Sequence, residues 1–189
     1  MKKYFLLAVF SIVALLMPNV DAAAQSQFKK GDLAFNLDYA LGSTDYGAGS
    51  ATNGFSLLGE YGFMNVINEK GTISAGIILG AGFANEDYIW GETKFSRIRI
   101  GTRGTLHYSF IPQLDTYGGL NFLFVDIVDI EKWKVENNDE TEEEKTSGEF
   151  VAPSLVAGAR YMFCSNVGVN VEFSWDRFQH IGVGFTFKF

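Results

Sequence analysis

The chain ends in Ile181-Gly-Val-Gly-Phe-Thr-Phe-Lys-Phe189, and every second residue of that stretch is large and apolar. Side chains of a β-strand point alternately to its two faces. Ile181, Val183, Phe185, Phe187 and Phe189 therefore share one face, and Gly182, Gly184, Thr186 and Lys188 share the other. One face is bulky throughout and the other is small or polar. No helical period of 3.6 fits the stretch.

The same pattern recurs upstream. Segments 32–41, 54–63, 72–83, 97–108, 115–124, 151–161 and 167–175 all alternate, the fifth least cleanly. Together with the last stretch they make eight strands. Their bulky faces carry no charged residue. The opposite faces carry ten: Asp32, Asp38, Glu60, Asp115 and Glu172 against Arg97, Arg99, Arg103, Arg160 and Lys188.

A soluble barrel also alternates, with its apolar face inward. Two features oppose that arrangement here. Eleven glycines lie on the polar faces and three on the bulky ones. Small residues suit the inside of a narrow tube, and bulky ones have room outside it. The charged set is also neutral in sum, which suits a confined lumen where an unpaired charge is costly. The bulky face is therefore expected to meet lipid. The fold class predicted is all-β, an eight-stranded antiparallel up-and-down transmembrane barrel. The ten charges are predicted to form a paired lumen network, with Glu60 beside Arg103 and Glu172 beside Arg97 or Arg99.

Composition narrows the functional classes. The chain has 189 residues and a formal net charge of −7, against nucleic acid as a partner, since phosphate binding needs a basic footprint. The single Cys164 supplies neither a disulfide nor a multi-cysteine zinc site. At the N-terminus, Lys2 and Lys3 precede an apolar run from Tyr4 to Met17, then Pro18 and three alanines at 22–24. The expected organisation is a cleaved signal peptide over 1–24 and a barrel domain over 25–189.

Connections after strands 2, 4 and 6 are short. Those after strands 1, 3 and 5 are longer and polar: 42–53, 85–93 and 127–149. Short periplasmic turns with longer outer loops is the bacterial outer-membrane arrangement, and it puts both chain ends in the periplasm. Tyr39, Tyr61, Phe63, Phe83, Tyr108, Tyr161 and Trp175 fall near strand ends on the lipid face, where aromatic girdles belong. From Asp126 to Glu149 there are ten acidic residues and three lysines. That stretch is expected to be a solvated, mobile loop, open to an unknown surface partner. Its acids lack calcium-loop spacing, so no metal site is assigned.

On these features the chain resembles the small OmpA/OmpX-type eight-stranded outer-membrane barrels over its whole mature length. The resemblance implies that Phe185, Phe187 and Phe189 form the terminal signal read by the barrel assembly machinery. It also implies contact with outer-membrane lipid and lipopolysaccharide. With Phe189 as the last residue, no periplasmic peptidoglycan-binding domain is expected. Catalytic residues and cofactors are expected to be none. His107-Tyr-Ser109 is similar to the His-x-Ser pair of lipid A deacylase barrels, but it falls at the periplasmic end and inward. The leading functional expectation is a non-enzymatic structural or surface-interaction protein working through its outer loops. The alternatives are a narrow pore or small-ligand conduit, and a lipid-modifying barrel enzyme.

Overall fold

The computed structural model describes residues 28–43, 51–67, 70–88, 91–134, 141–176 and 179–189. The segment expected as a signal peptide lies outside them. Eight strands follow in chain order: β1 Leu33–Ser43, β2 Ala51–Val66, β3 Gly71–Tyr88, β4 Gly91–Ile111, β5 Leu114–Lys134, β6 Thr141–Met162, β7 Val167–Ser174 and β8 Ile181–Lys188. Each pairs antiparallel with its neighbours, and β8 returns to β1 to close the ring. Among the described residues there is no helix.

The alternation seen in the sequence becomes an alternation of exposure. In β1, Leu33, Phe35, Leu37, Tyr39 and Leu41 are exposed, while Ala34, Asn36, Asp38 and Ala40 are buried. The outward band continues through Phe55, Leu57, Ile77, Leu79, Ile100, Phe122, Leu155 and Phe173. This inverts the usual soluble rule. Polar and charged side chains fill most of the middle, beside a buried apolar cluster of Leu58, Ile78, Leu123 and Val125, and bulky apolar ones cover the outside.

Closure depends on strand tilt. The row of register partners from Leu41 passes through Ile181, Phe173, Ala157, Gly118, Leu106 and Ile73 to Met64. It starts near the outer end of β1 and arrives near the inner end of β2. Strands tilted in this way stagger the ladder, as a closed barrel requires.

Strand length departs from expectation. Segments 85–93 and 127–149 were expected as loops, but β3 and β4 continue almost to their shared tip, as do β5 and β6. These four strands run 18, 21, 21 and 22 residues, twice what a tilted membrane strand needs. Strands β7 and β8 have 8 residues each. One wall of the barrel is therefore tall and the other low.

Candidate functional site

The lumen is organised by β4, which places Arg99, Arg103 and His107 four residues apart on its inward face, all buried. Each anchors a tier. In the upper tier Arg99 donates to Ser56 Oγ at 2.8 Å and Gln179 Oε1 at 2.5 Å, and pairs with Asp176 at 3.2 Å. In the middle tier Arg103 donates to both oxygens of Glu172, at 2.6 and 2.7 Å, while its Nε donates to Asn121 at 2.8 Å. The Tyr117 hydroxyl donates to the same Glu172 at 3.0 Å.

In the lower tier Glu60 accepts from Arg160, Thr105 and, at 2.8 Å, Ser74. His107 lies between two acids, with Nδ1 2.9 Å from Asp115 and Nε2 3.1 Å from Glu60. Along the closing seam, Asn170 donates to Asp38 at 2.7 Å, and Thr186 donates to Asn36 at 3.0 Å.

Eight of the ten predicted lumen charges are thus buried within the barrel, Arg97 among them. The other two, Asp32 and Lys188, meet at 3.4 Å at the inner rim, where both are partly buried. The partners differ from those expected. Glu60 pairs with Arg160, and Glu172 with Arg103. The tilt is the reason: residues at equal positions along distant strands do not share a height. Sequence reasoning also missed Asp176 and Gln179, which lie in the short outer link and turn back over the lumen.

Phe28 was also missed. Its ring lies 4.5 Å from the His107 ring and 5.5 Å from the Arg160 guanidinium carbon, closing the lower tier. Thr72 Oγ1 holds its carbonyl at 2.9 Å. Gly31, with φ +96°, lets the chain turn from this mouth into β1. The void beside Phe28, Asp115 and Arg160 measures about 10 Å³, no more than one water.

A second candidate site is the sheet above the barrel. Here β3 to β6 stand together, with pairs Glu86–Thr93, Thr93–Glu131 and Glu131–Glu144 across them. β6 pairs with β7 only from Val156 to Met162, and the Leu155 carbonyl accepts the last bond, from Trp175 N at 2.8 Å. Above Leu155, among the described residues, no strand pairs with that side of β6. Successive backbone groups of a strand point to opposite edges, so Pro153, Val151, Glu149, Ser147 and Lys145 turn theirs to the open side. Pro153 has no N–H, and proline within a sheet belongs at such an edge. Exposure agrees. It alternates along β6 up to Val151, whereas Glu144 to Glu149 are all exposed.

Phe189 lies at the inner rim and is 70% exposed. It exchanges two backbone bonds with Leu33, at 2.8 and 3.0 Å, and its ring meets Phe35 edge-on at 6.2 Å. Phe185 lies on the outward face in register with Leu37, and Phe187 with Phe35.

Comparison with solved structures finds similar chains at low identity. Ail, the attachment invasion locus protein of Yersinia pestis, is 13% identical, with a TM-score of 0.49 and coverage of 85% of this chain and 99% of that one. The N-terminal β-barrel domain of Pseudomonas aeruginosa OprF is 14% identical, with a TM-score of 0.33 and coverage of 85% and 98%. A de novo designed transmembrane β-barrel is 17% identical, with a TM-score of 0.46 and coverage of 85% and 98%. No curated protein matches the chain. A family model for the outer membrane protein beta-barrel domain matches residues 8–189. The closed ring of eight strands, bulky outside and charged within, agrees with that match, and this chain belongs to the family, as a protein of the bacterial outer membrane.

Proposed function

We propose that this protein is a non-enzymatic surface-interaction barrel that presents the β3–β6 sheet outside the membrane and takes an extended partner strand on the open edge of β6. The observation that carries this reading is the termination of β6–β7 pairing at Val156 while β6 continues to Thr141. An open edge offers main-chain donors and acceptors to an added strand. Of the devices that blunt an unused edge, short length and bulges are not found on β6 among the described residues. This edge is long, and its charge is acidic, which favours a basic partner segment. Residues 126–149 carry ten acids against three lysines.

The conduit reading has less support, because three tiers of bonded side chains and the Phe28 ring fill the lumen. For the lipid-modifying reading, His107 does lie 3.1 Å from Ser74 Oγ and 2.9 Å from Asp115. His107 and Ser74 are each 1% exposed, however, and Phe28 covers them on the side of the mouth.

Ser147→Pro removes one edge-facing donor and leaves the β5 ladder whole, whereas Thr146→Pro interrupts that ladder. Binding of basic, strand-forming peptides to the barrel in nanodiscs is the measurement, with heat-dependent gel mobility as the folding control. Ser147→Pro is expected to lower affinity about tenfold with folding unchanged. Equal binding by wild type and Ser147→Pro would overturn the reading.

A further inference from the structure

Gly148 and Glu149, consecutive residues of β6, stand on opposite faces of its open edge, and each face is incomplete there. With strand addition on β6 as proposed above, we infer that the incoming strand carries a bulky apolar side chain opposite Gly148 and a lysine or arginine opposite Glu149. Its signature is then a basic–apolar dipeptide.

The inward face sets the apolar half. Gly148 shares that face with Phe150 and Ser154 by parity, and its register partner on β5 is Ile127. Phe150 and Ile127 are partly buried and pack against the cluster of Leu58, Ile78, Leu123 and Val125. An apolar layer therefore climbs the inner side of the sheet towards the edge, where it meets a glycine. A Cβ on Gly148 would meet nothing within 4 Å, so the space beside Ile127 is open. Directly opposed residues of neighbouring strands stand about 4.5–5.5 Å apart at Cβ. A large side chain opposite Gly148 lies over the glycine and reaches Ile127 beyond it. Aromatic residues compensate edge glycines by this contact.

The outward face sets the basic half. Glu149 is exposed and pairs in register with Asp126, on the face that Val151 continues down into the lipid-facing band. Two acids directly opposed on one face repel each other. A cation in the next strand extends the row from Asp126 through Glu149 and relieves that repulsion.

The two requirements fall on adjacent residues of the partner, because neighbours in a strand point to opposite faces. Antiparallel pairing is the more stable geometry, and it sets the order as basic residue first, then apolar. A second copy of the barrel does not meet these requirements. Two copies in one membrane, related by a two-fold axis along its normal, run their β6 strands in the same direction, and each residue meets its own counterpart. Glu149 would then face Glu149, and Gly148 would face Gly148.

The test uses the full barrel in nanodiscs and a labelled strand-forming peptide, Thr-Val-Thr-Arg-Phe-Thr-Val-Thr. Replacing its phenylalanine by alanine, or its arginine by glutamate, is expected to weaken binding about tenfold in each case. Gly148→Gln lays a polar side chain over Ile127 and is expected to bring the phenylalanine and alanine peptides within about twofold of each other. Glu149→Lys is expected to reverse the preference between the arginine and glutamate peptides. Heat-dependent gel mobility confirms that each variant is folded, and the peptide series on the unmodified protein needs no variant at all. Ser147→Pro separates the two levels. If it weakens binding while the phenylalanine and alanine peptides bind alike to the unmodified protein, the dipeptide is overturned and strand addition stands. An aromatic preference that survives Gly148→Gln, or an arginine preference that survives Glu149→Lys, would also overturn the dipeptide. Binding untouched by Ser147→Pro would remove strand addition and the dipeptide with it.

Discussion

Arg103 and Glu172, on strands three apart in the ring, meet across the lumen in two parallel hydrogen bonds of 2.6 and 2.7 Å. Both side chains are almost fully buried. A bidentate pair of this kind is directional as well as strong. Glu172 also accepts from Tyr117, so loss of the arginine leaves a buried carboxylate with only neutral donors at hand. Arg103→Met is expected to destabilise the barrel by about 3–5 kcal/mol, because one charge is stranded. The double variant Arg103→Met with Glu172→Met is expected to lose less than Arg103→Met alone. Urea unfolding in vesicles, followed by gel mobility, measures the cycle. A double variant as weak as the sum of its parts would show that the two side chains act independently.

Inward and outward glycines are expected to respond oppositely to a methyl group. A Cβ on Gly184 would meet the Leu37 carbonyl and Asp38 at the β1–β8 seam, whereas a Cβ on Gly104 would meet nothing within 4 Å. Gly184→Ala is expected to lower folding yield sharply, and Gly104→Ala to leave it within about 0.5 kcal/mol of the unmodified protein. Refolding from urea into detergent compares them.

Lysine labelling reads the orientation. Lys145 is exposed on β6 above the membrane band, and Lys70 is exposed in the short turn where its N–H bonds to the Ile67 carbonyl at 3.2 Å. A membrane-impermeant amine reagent on intact cells is expected to modify Lys145 and to spare Lys70 until the outer membrane is permeabilised. Mass spectrometry of the digested protein locates the label, and the reverse pattern would invert the barrel.

Phe189 is expected to carry two roles, barrel closure and assembly signal, and they separate experimentally. Its backbone bonds to Leu33 persist in Phe189→Ala, so that variant is expected to refold normally in detergent. In cells it is expected to accumulate unassembled, because the ring is gone while the ladder remains. Deletion of residue 189 removes both bonds and is expected to weaken the detergent-folded barrel as well. Assembly of Phe189→Ala at the unmodified level in cells would end the case for an assembly signal.

Alternation made the fold legible. Leu33 to Leu41 and Ile181 to Phe189 announce their faces residue by residue, and the ten charged positions mark one side of every strand but β3. What escaped has physical causes. The acidic run beyond Asp126 has low strand propensity by composition. It is held in strands because β4, β5 and β6 pair without a break above the membrane, as in Lys94–Ile130–Lys145. Pairing partners escaped because ring tilt couples heights that no single strand records. Phe28 escaped because a lone aromatic before Lys29 and Lys30 has no period to betray it. Pro153 was a usable signal. A proline inside an alternating run demotes that stretch to an edge, and it marks the open side of β6.

The bond from Thr186 to Asn36 joins residues 150 apart in sequence, and the lumen tiers likewise draw on strands from both halves of the chain. Contacts this distant in sequence make folding slow, because the loop-closure entropy comes before any reward. A half-inserted sheet would also hold Glu60, Arg103 and Arg160 against hydrocarbon without their partners. Partial intermediates inside the bilayer are thereby disfavoured. The chain is driven to cross the membrane in one cooperative event, with its first and last strands meeting as the charges are covered.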